Sequence, residues 1–336
     1  MGWTPLHAVI HRTIRARKLL KRQQHILVAV SGGQDSLCLI KLLLDLQAKW
    51  EWNLGIAHCN HLWRDDSTAN AEHVEQLAQN WSLPFYLETA DEPIDSEATA
   101  RNWRYRVLES VALMHNYSCI ITGHTASDRA ETLLYNLMRG TGADGLQALT
   151  WQRNLGKNIQ LVRPLLEINR RETAKFCQDF QLPIWEDSTN ENFKYARNRI
   201  RQELIPYLRE NFNPQVESNL AQTAELLQAE VEYLEQAAQE LRQAAMRGGD
   251  SDDKQNQQST NNHQFFQLNR QVLKNAPLAL QRRVMRQVLL EMLPYAPNFE
   301  HIEKLTALIA APQKTQTDPF PGGTIAFVDG EWICWR

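Results

Sequence analysis

A chain of 336 residues has room for one large domain and a smaller one, and 43% hydrophobic with 22% charged residues is the balance of a soluble globular protein. No apolar run approaches the roughly 20 residues that a membrane-spanning helix needs. The formal charge of −3 provides no global attraction for nucleic acid, so any such contact has to be local.

The first acidic residue is Asp35, and Arg12, Arg15, Arg17, Lys18, Lys21 and Arg22 all precede it. An Arg-rich, acid-free start also occurs in transit peptides. Here Thr4-Pro5 is a good helix start, and Ile10, Ile14 and Leu20 follow at roughly helical spacing, so a basic surface helix packed on the domain is expected. Four short apolar segments then recur: Ile26–Val30, Leu54–His58, Phe85–Leu87 and Cys119–Thr122. The first is apolar throughout, as a parallel strand covered on both faces should be. Helical patterns separate them, at Leu37, Ile40 and Leu44, at Ala69–Trp81 and at Ala98–His115, with Ile159–Val162 as a fifth strand. Strand–helix alternation of this kind predicts an α/β fold with a doubly wound parallel sheet.

The pattern turns helical after about residue 205. Pro214 opens a long helix with Leu220, Leu227, Leu234 and Leu241 at every seventh position, a stripe that permits a homodimer but is more commonly packing against a neighbouring helix. Gly248-Gly249 ends it, and the polar stretch Asp250–His263 reads as a flexible linker. A smaller, mostly helical unit follows, with one apolar face at Leu280, Val284, Val288 and Met292 and another at Ile302, Leu305 and Ile309. It ends in a hairpin, Thr324–Val328 and Glu331–Trp335, around the two-residue loop Asp329-Gly330. The expected divisions are 1–210, a long helix 211–247, a linker 248–264 and a C-terminal domain 265–336. Cys38, Cys59, Cys119, Cys177 and Cys334 form no C-x-x-C and read as reduced thiols of a cytoplasmic protein, most of them small buried side chains.

The most informative residues are Ser31-Gly32-Gly33-Gln34-Asp35-Ser36, directly after the first strand and before an amphipathic helix. Two glycines let backbone N–H groups approach a phosphate, and the helix N-terminus adds its positive dipole end. The Ser31 and Ser36 hydroxyls supply further donors, and Asp35 can hold a magnesium ion that bridges phosphates. The G-x-x-x-x-G-K-[ST] spacing of a Walker A loop is absent. Gly140-Thr141-Gly142-Ala143-Asp144-Gly145 matches G-x-G-x-x-G, but it follows the helical segment Glu131–Arg139 rather than a strand and reads as a flexible loop. His58, Cys59 and His61 together raise zinc, yet a zinc site needs about four convergent ligands. Nucleotide contact or structural hydrogen bonding is the expected role.

Ser31–Ser36 resembles the PP-loop of enzymes that split ATP between its α- and β-phosphates. Four further motifs narrow the resemblance: His58-Cys59-Asn60-His61 with Arg64; Glu97 with Ala100-Arg101 and Arg104-Tyr105; Gly123-His124 with Asp128, Ala130-Glu131-Thr132 and Arg139-Gly140; and Glu186-Asp187 with Asn190, Arg197-Asn198, Arg201 and Pro206. Together, over roughly the first 210 residues, they resemble the tRNA(Ile)-lysidine synthases, and the C-terminal unit is similar, less specifically, to that family's substrate-binding domain. The resemblance implies ATP and magnesium, a tRNA(Ile) with a CAU anticodon and L-lysine. AMP is placed on the C2 oxygen of the wobble cytidine, and the lysine ε-amine then displaces it. It implies nucleotide contacts from the loop, His58 and His124. Asp35, Arg101, Arg104, Asp128, Glu131 and Arg201 carry catalysis, with Asp128 orienting the amine and taking its proton. Arg197 and Asn198 are expected at the substrate, and the local basic surfaces Arg282, Arg283, Arg286 and Arg12–Arg22 are the candidates for tRNA contact.

The family usually shows His-His-x-Asp-Asp-Gln-Ala-Glu-Thr where this chain has His124-Thr125-Ala126-Ser127-Asp128-Arg129-Ala130-Glu131-Thr132. The second His, first Asp and Gln are therefore replaced, and Leu62-Trp63 stands for the usual Gly-Leu. A tRNA 2-thiocytidine-type thiolase shares the loop but carries C-x-x-C pairs, which this chain lacks. A small-molecule synthetase of the GMP or NAD type fits the helical C-terminal half poorly. The altered segment is the one feature in favour of a silent, tRNA-binding paralogue.

Overall fold

The computed structural model describes residues 2–62, 66–92, 94, 96–156, 158–185, 193, 196–247 and 267–336. The motif residues Arg64, Glu186, Asp187 and Asn190 and the expected linker 248–264 lie outside the described residues. The chain divides into two units, 1–228 and 229–336, with the boundary inside one long helix.

In the first unit, Thr4 caps α1 (Pro5–Ala16) and Pro5 opens it; its buried face is His7, Ile10, Thr13 and Ile14. Leu20 is buried as expected, but beyond the end of the helix, which closes before Lys18 turns to φ 52°. Strand and helix then alternate: β1 (His25–Ala29), α2 (Gln34–Trp50), β2 (Asn53–Asn60), α3 (Ser67–Asn80), β3 (Phe85–Thr89), α4 (Glu97–Met114) and β4 (Cys119–Thr122). After them come α5 (Ala126–Met138), a one-turn α6 (Ala143–Leu146), β5 (Gln152–Leu155), β6 (Ile159–Val162) and α7 (Arg170–Asp179). The G-x-G-x-x-G segment is thus not wholly loop: Gly140 turns left-handed at φ 74° after α5, and Gly142 caps α6.

The sheet order is β3-β2-β1-β4-β6-β5, parallel except for the edge strand β5. Chain progress runs one way from β1 to β3 and then jumps back to β4 on the other side of β1. Right-handed crossovers demand that such a reversal put its helix on the opposite face. The two cores record it. Ile26, Val28, Ile56 and Ile121 pack with α1, α2, α3 and α7, whereas Leu27, Ala57, Ile120 and Leu161 pack with Tyr105, Leu108 and Ala112 of α4. The crevice at the carboxyl ends of β1 and β4 is the topological switch point, where open α/β sheets bind ligands.

Past the described part of 186–195, the chain winds through α8 (Ala196–Arg199), a π-turn at Ile200–Leu204 and α9 (Ile205–Asn211). The Ile205 N–H bonds to the Ile200 carbonyl, five residues back. Pro206 has no N–H with which to continue the ordinary four-residue ladder. Arg197 and Arg201, four residues apart, are therefore joined by a widened turn rather than by a plain helix face.

The long helix α10 (Val216–Ala245) carries the unit boundary. Its buried positions are Ala221, Ala224, Val231, Ala238 and Ala245. The heptad leucines are only half-buried, and the small residues beside them sit deepest. The second unit continues with β7 (Met246–Arg247), β8 (Gln267–Asn269), α11 (Arg270–Lys274), α12 (Leu278–Met292), α13 (Phe299–Ala307), β9 (Ala326–Asp329) and β10 (Trp332–Trp335). Its helices share one core with a four-stranded sheet ordered β7-β8-β10-β9. Asp329 pairs with Trp332, so the hairpin loop is Gly330-Glu331, one residue later than expected, with Gly330 at φ 60°.

Candidate active site

β1 ends against the phosphate loop. Gly32 takes φ 85°, and a Cβ there would strike the Asn70 side chain. Gly33 caps α2 without a side-chain bond, so the first N–H groups of a 17-residue helix open into the crevice. Ser36 braces the loop, since its hydroxyl donates to the Gly33 carbonyl at 2.8 Å and accepts from the Ser31 N–H at 3.2 Å. Asn70 holds the Ser31 carbonyl at 3.0 Å, and the Trp185 N–H holds that of Gly32 at 3.0 Å. Gln34, expected at the nucleotide, spends its amide on the Arg170 carbonyl and the Thr173 hydroxyl, both at 2.7 Å. At the end of β4, Gly123 is required, because a Cβ there would lie 2.9 Å from the Asp35 carbonyl oxygen.

Ser31, Gly33–Ser36, Asn70, Gly123 and Trp185 line a cavity of about 860 Å³, together with His58, His61, Arg104, Tyr105, His124, Asp128, Arg170 and Arg201. At its floor Arg170 joins three carboxylates. Its Nε donates to Asp35 Oδ2 at 3.1 Å, Nη1 to Glu131 Oε1 at 2.6 Å and Nη2 to Asp128 Oδ1 at 2.5 Å. Arg201 adds a fork on Glu131, at 2.8 and 3.0 Å. Three carboxylates thus face two guanidiniums, leaving room for one more positive charge.

Burial raises the Asp35 carboxyl and is only partly offset by Arg170 and by the Thr173 hydroxyl, which donates to it at 2.5 Å. At Asp128 burial also acts upward, but Arg170, His124 and the Thr125 donors outweigh it and hold the carboxyl down to about 2. Burial opposes the charge on Arg170, and the three carboxylates more than restore it.

The two histidines expected at the nucleotide are firmly held. His58 is 3% exposed, and its Nδ1 bonds to the Val30 carbonyl at 2.8 Å, which makes Nδ1 the protonated nitrogen. His124 pairs with Thr122 Oγ1 at 2.8 Å, and burial, with Arg163 beside it, pushes its imidazole down to about 3. His61 receives Arg104 Nε at 3.4 Å and is lowered to about 4, by burial and then by Arg104. Among the described residues, no group of three or more His, Cys, Asp or Glu has the arrangement of a metal cage. A magnesium ion between phosphates needs only one or two carboxylates besides phosphate and water, so Asp35 and the nearby Asp128 are a suitable donor set.

The altered segment turns out to be structural. Thr125 caps α5, its hydroxyl and N–H both donating to Asp128 Oδ2 at 2.8 Å. This cap also shows that α5 begins five residues before the expected Glu131. Ser127 accepts the Arg170 N–H at 3.1 Å and donates to Glu217, while Arg129, 1% exposed, pairs with Glu225 at 2.6 Å and Gln228 at 3.0 Å on α10. All three replacements serve the cap or the α5–α10 seam, while Asp128 lines the cavity and the buried Glu131 bonds to Arg170 and Arg201.

The remaining expected site residues are dispersed. Arg101 lies against the Tyr105 ring rather than in the acid node, and Arg197 against Tyr135, with Asn198 beside it on α8. Arg282 forks onto Glu303 at 2.7 and 2.9 Å, while Arg283 and Arg286 reach Glu235 at 2.9 and 3.1 Å, so this cluster is ion-paired and not bare. In the N-terminal run, Arg17 pairs with Glu225 at 2.7 Å and Arg22 with Glu51. Sequence reasoning missed Arg170, Thr173, Asn70 and Trp185. A signal for Arg170 existed: Asn169-Arg170 opens a helix after the fifth strand, the position that Asp35 and Asp128 occupy after the first and fourth.

Residues 7–208 match the family described as a PP-loop domain, and residues 268–331 match the TilS substrate binding domain. The chain is 69% identical over 336 residues to the tRNA(Ile)-lysidine synthase of Nostoc sp., covering 100% of this chain and 98% of that one. It is 49% identical to the tRNA(Ile)-lysidine synthase of Synechocystis sp., with 99% and 98% covered. Among solved structures it is similar to the U34-tRNA thiolase NcsA from Methanococcus maripaludis with its 4Fe-4S cluster. The TM-score is 0.56 at 16% identity, over 66% of this chain and 78% of that one, a likeness of fold alone.

Proposed function

The chain belongs to the tRNA(Ile)-lysidine synthase family, and from that premise we propose that its cavity joins L-lysine to the wobble cytidine of a CAU-anticodon tRNA(Ile) at the expense of ATP. The observation that carries this reading is the Arg170 node, which ties Asp35 of the phosphate loop and Asp128, both lining the cavity, to the buried Glu131. Nucleotide activation and amine attack then share a single chamber.

In this reading the uncapped start of α2 and the loop N–H groups hold the departing pyrophosphate. Magnesium at Asp35, when bound, neutralises phosphate charge. His58, His61 and His124 line the nucleoside end, and the lowered imidazoles of His61 and His124 stay neutral there, where a cation would repel Arg104. An oxygen on the pyrimidine ring is a poor leaving group, and its AMP ester is a good one. Lysine then enters as the extra cation that the node has room for, and Asp128 and Glu131 orient its ε-amine. The ammonium must lose a proton before its nitrogen attacks C2 and AMP leaves, and the Asp128 carboxylate that anchors it receives that proton. Arg104, Arg201, Arg197 and Asn198 are assigned to phosphate and base contacts.

The test is incubation with the tRNA(Ile) transcript, ATP and labelled lysine. Lysine incorporation that needs both ATP and the CAU anticodon, with one AMP released for each lysine, is the expected result. No incorporation under those conditions sinks the reading.

A further inference from the structure

The cations of the first unit are concentrated outside the acid node. Two tyrosine rings each have two guanidiniums over them: Tyr105 has Arg153 at 4.8 Å and Arg101 at 5.2 Å, and Tyr135 has Arg139 at 5.3 Å and Arg197 at 5.8 Å. The two stacks are neighbours, because Arg197 adds to the positive field at Arg101. Among the described residues, no carboxylate is within ion-pair distance of Arg101, Arg139 or Arg153. Behind Tyr105, Arg163 is 2% exposed; Nη1 donates to the Thr150 carbonyl at 2.7 Å, and its Nε has no partner.

Arginines crowded in this way repel one another. Burial disfavours the charge on Arg101, Tyr105 offsets it in part, and Arg197, Arg104 and Arg153 oppose it further; at Tyr105 the effect of burial is outweighed by Arg101, Arg163 and Arg153, which lower the phenol. Such an arrangement is costly until an anion relieves it.

The placement is directional. Along α5, Glu131, Tyr135 and Arg139 follow at four-residue steps, one face of a helix. Glu131 meets Arg201 and Tyr135 meets Arg197, so the two pairs are successive rungs leading out from the node to the exposed Arg139. Tyr105 lines the cavity wall, and Arg153 beside it is exposed.

We propose that the track Arg153–Tyr105–Arg101–Arg197–Tyr135–Arg139 holds the RNA strand flanking the nucleotide that enters the cavity, with guanidiniums on phosphates and an unstacked base against the half-buried Tyr135 ring. The inference rests on the RNA substrate of the reading above. Guanidinium forks match phosphate oxygens, and rings interleaved with cations suit single-stranded nucleic acid, whose bases need flat faces. An acidic peptide would use the cations and leave the rings without a purpose.

The experiment measures binding of the CAU transcript by fluorescence anisotropy across a salt series, together with KM for tRNA and for ATP. The proteins are Arg139→Gln, Arg153→Gln and the double variant, all at exposed positions, with exposed Arg106→Gln as control. Each track variant is expected to reduce the slope of log K against log salt by about 0.7–0.9, the double variant to weaken binding roughly tenfold, and KM for ATP to stay put. A double variant with wild-type affinity and slope, while the wild type makes lysidine, overturns the track and leaves the functional reading standing. Arginine-dependent RNA binding by a wild type that makes no lysidine does the reverse. Unchanged RNA binding with lost retention on immobilised polyglutamate assigns the track to an acidic protein and overturns the proposal.

Discussion

Arg170 is the residue on which the site's chemistry converges, and its removal has two separable effects. Arg170→Gln leaves Glu131, 3% exposed, with Arg201 alone and strips Asp35 and Asp128 of their nearest cation. A loss of about 1.5–3 kcal/mol is expected from the charged hydrogen bonds, read as a drop in urea midpoint. Lysine incorporation should fall on the order of 100-fold, and a variant with wild-type turnover removes Arg170 from the site. Asp35→Ala, lacking the loop's carboxylate, should release no measurable AMP; full residual activity means the metal is placed wrongly. His61 offers a pH signature. Its folded value of about 4 lies below the ordinary 6.5, so the unfolded chain binds the extra proton between them. Stability should therefore decline as pH falls from about 6.5 toward 4. Thermal melts of His61→Asn should show a shallower decline, and an identical slope refutes the assignment.

At the scale of elements, the site depends on how closely β4 approaches the start of α2. Gly123→Ala forces a Cβ to 2.9 Å from the Asp35 carbonyl, a backbone atom that cannot swing aside. A cost of about 1–3 kcal/mol is expected, with weaker ATP binding by calorimetry because the loop itself must shift. Unchanged melting and affinity would show that the two elements have slack. Strand positions were readable because burial on both faces writes an apolar run: Cys119–Thr122 was found to the residue, and Leu54–His58 fell short by three. The edge strand β5, three of whose four residues are exposed, left no such run. The α5 start was missed for a related reason. Its first turn is a capping box of Thr125 and Asp128, which reads in sequence as a polar motif rather than as a helix.

At the scale of the whole molecule, two cationic surfaces compete for the role of RNA contact. Arg282, Arg283 and Arg286 stay candidates in the second unit, but Glu303 and Glu235 already neutralise much of their charge. Charge reversal at Arg282 and Arg283 is expected to weaken tRNA binding and flatten its salt dependence by less than the Arg139/Arg153 pair does. The same anisotropy series decides it, and a larger effect from the second unit reverses the ranking. Local sequence shows how many arginines a segment carries, whereas the carboxylate that meets each one comes from elsewhere in the chain.

That distinction divides the protein as a whole. The PP-loop segment, the strand–helix alternation and the family were legible from the sequence, because each depends on neighbours within a few residues or on an ordered set of motifs. The sequence could not convey that Arg170, 135 residues after Asp35, joins the loop to the two acids of α5. Nor could it show that Ser127 and Arg129 turn away to α10, or that Arg101 and Arg153 meet at one ring. These are contacts between elements whose separation only the crossover topology closes, so they were decided by the packing of the sheet and its helices.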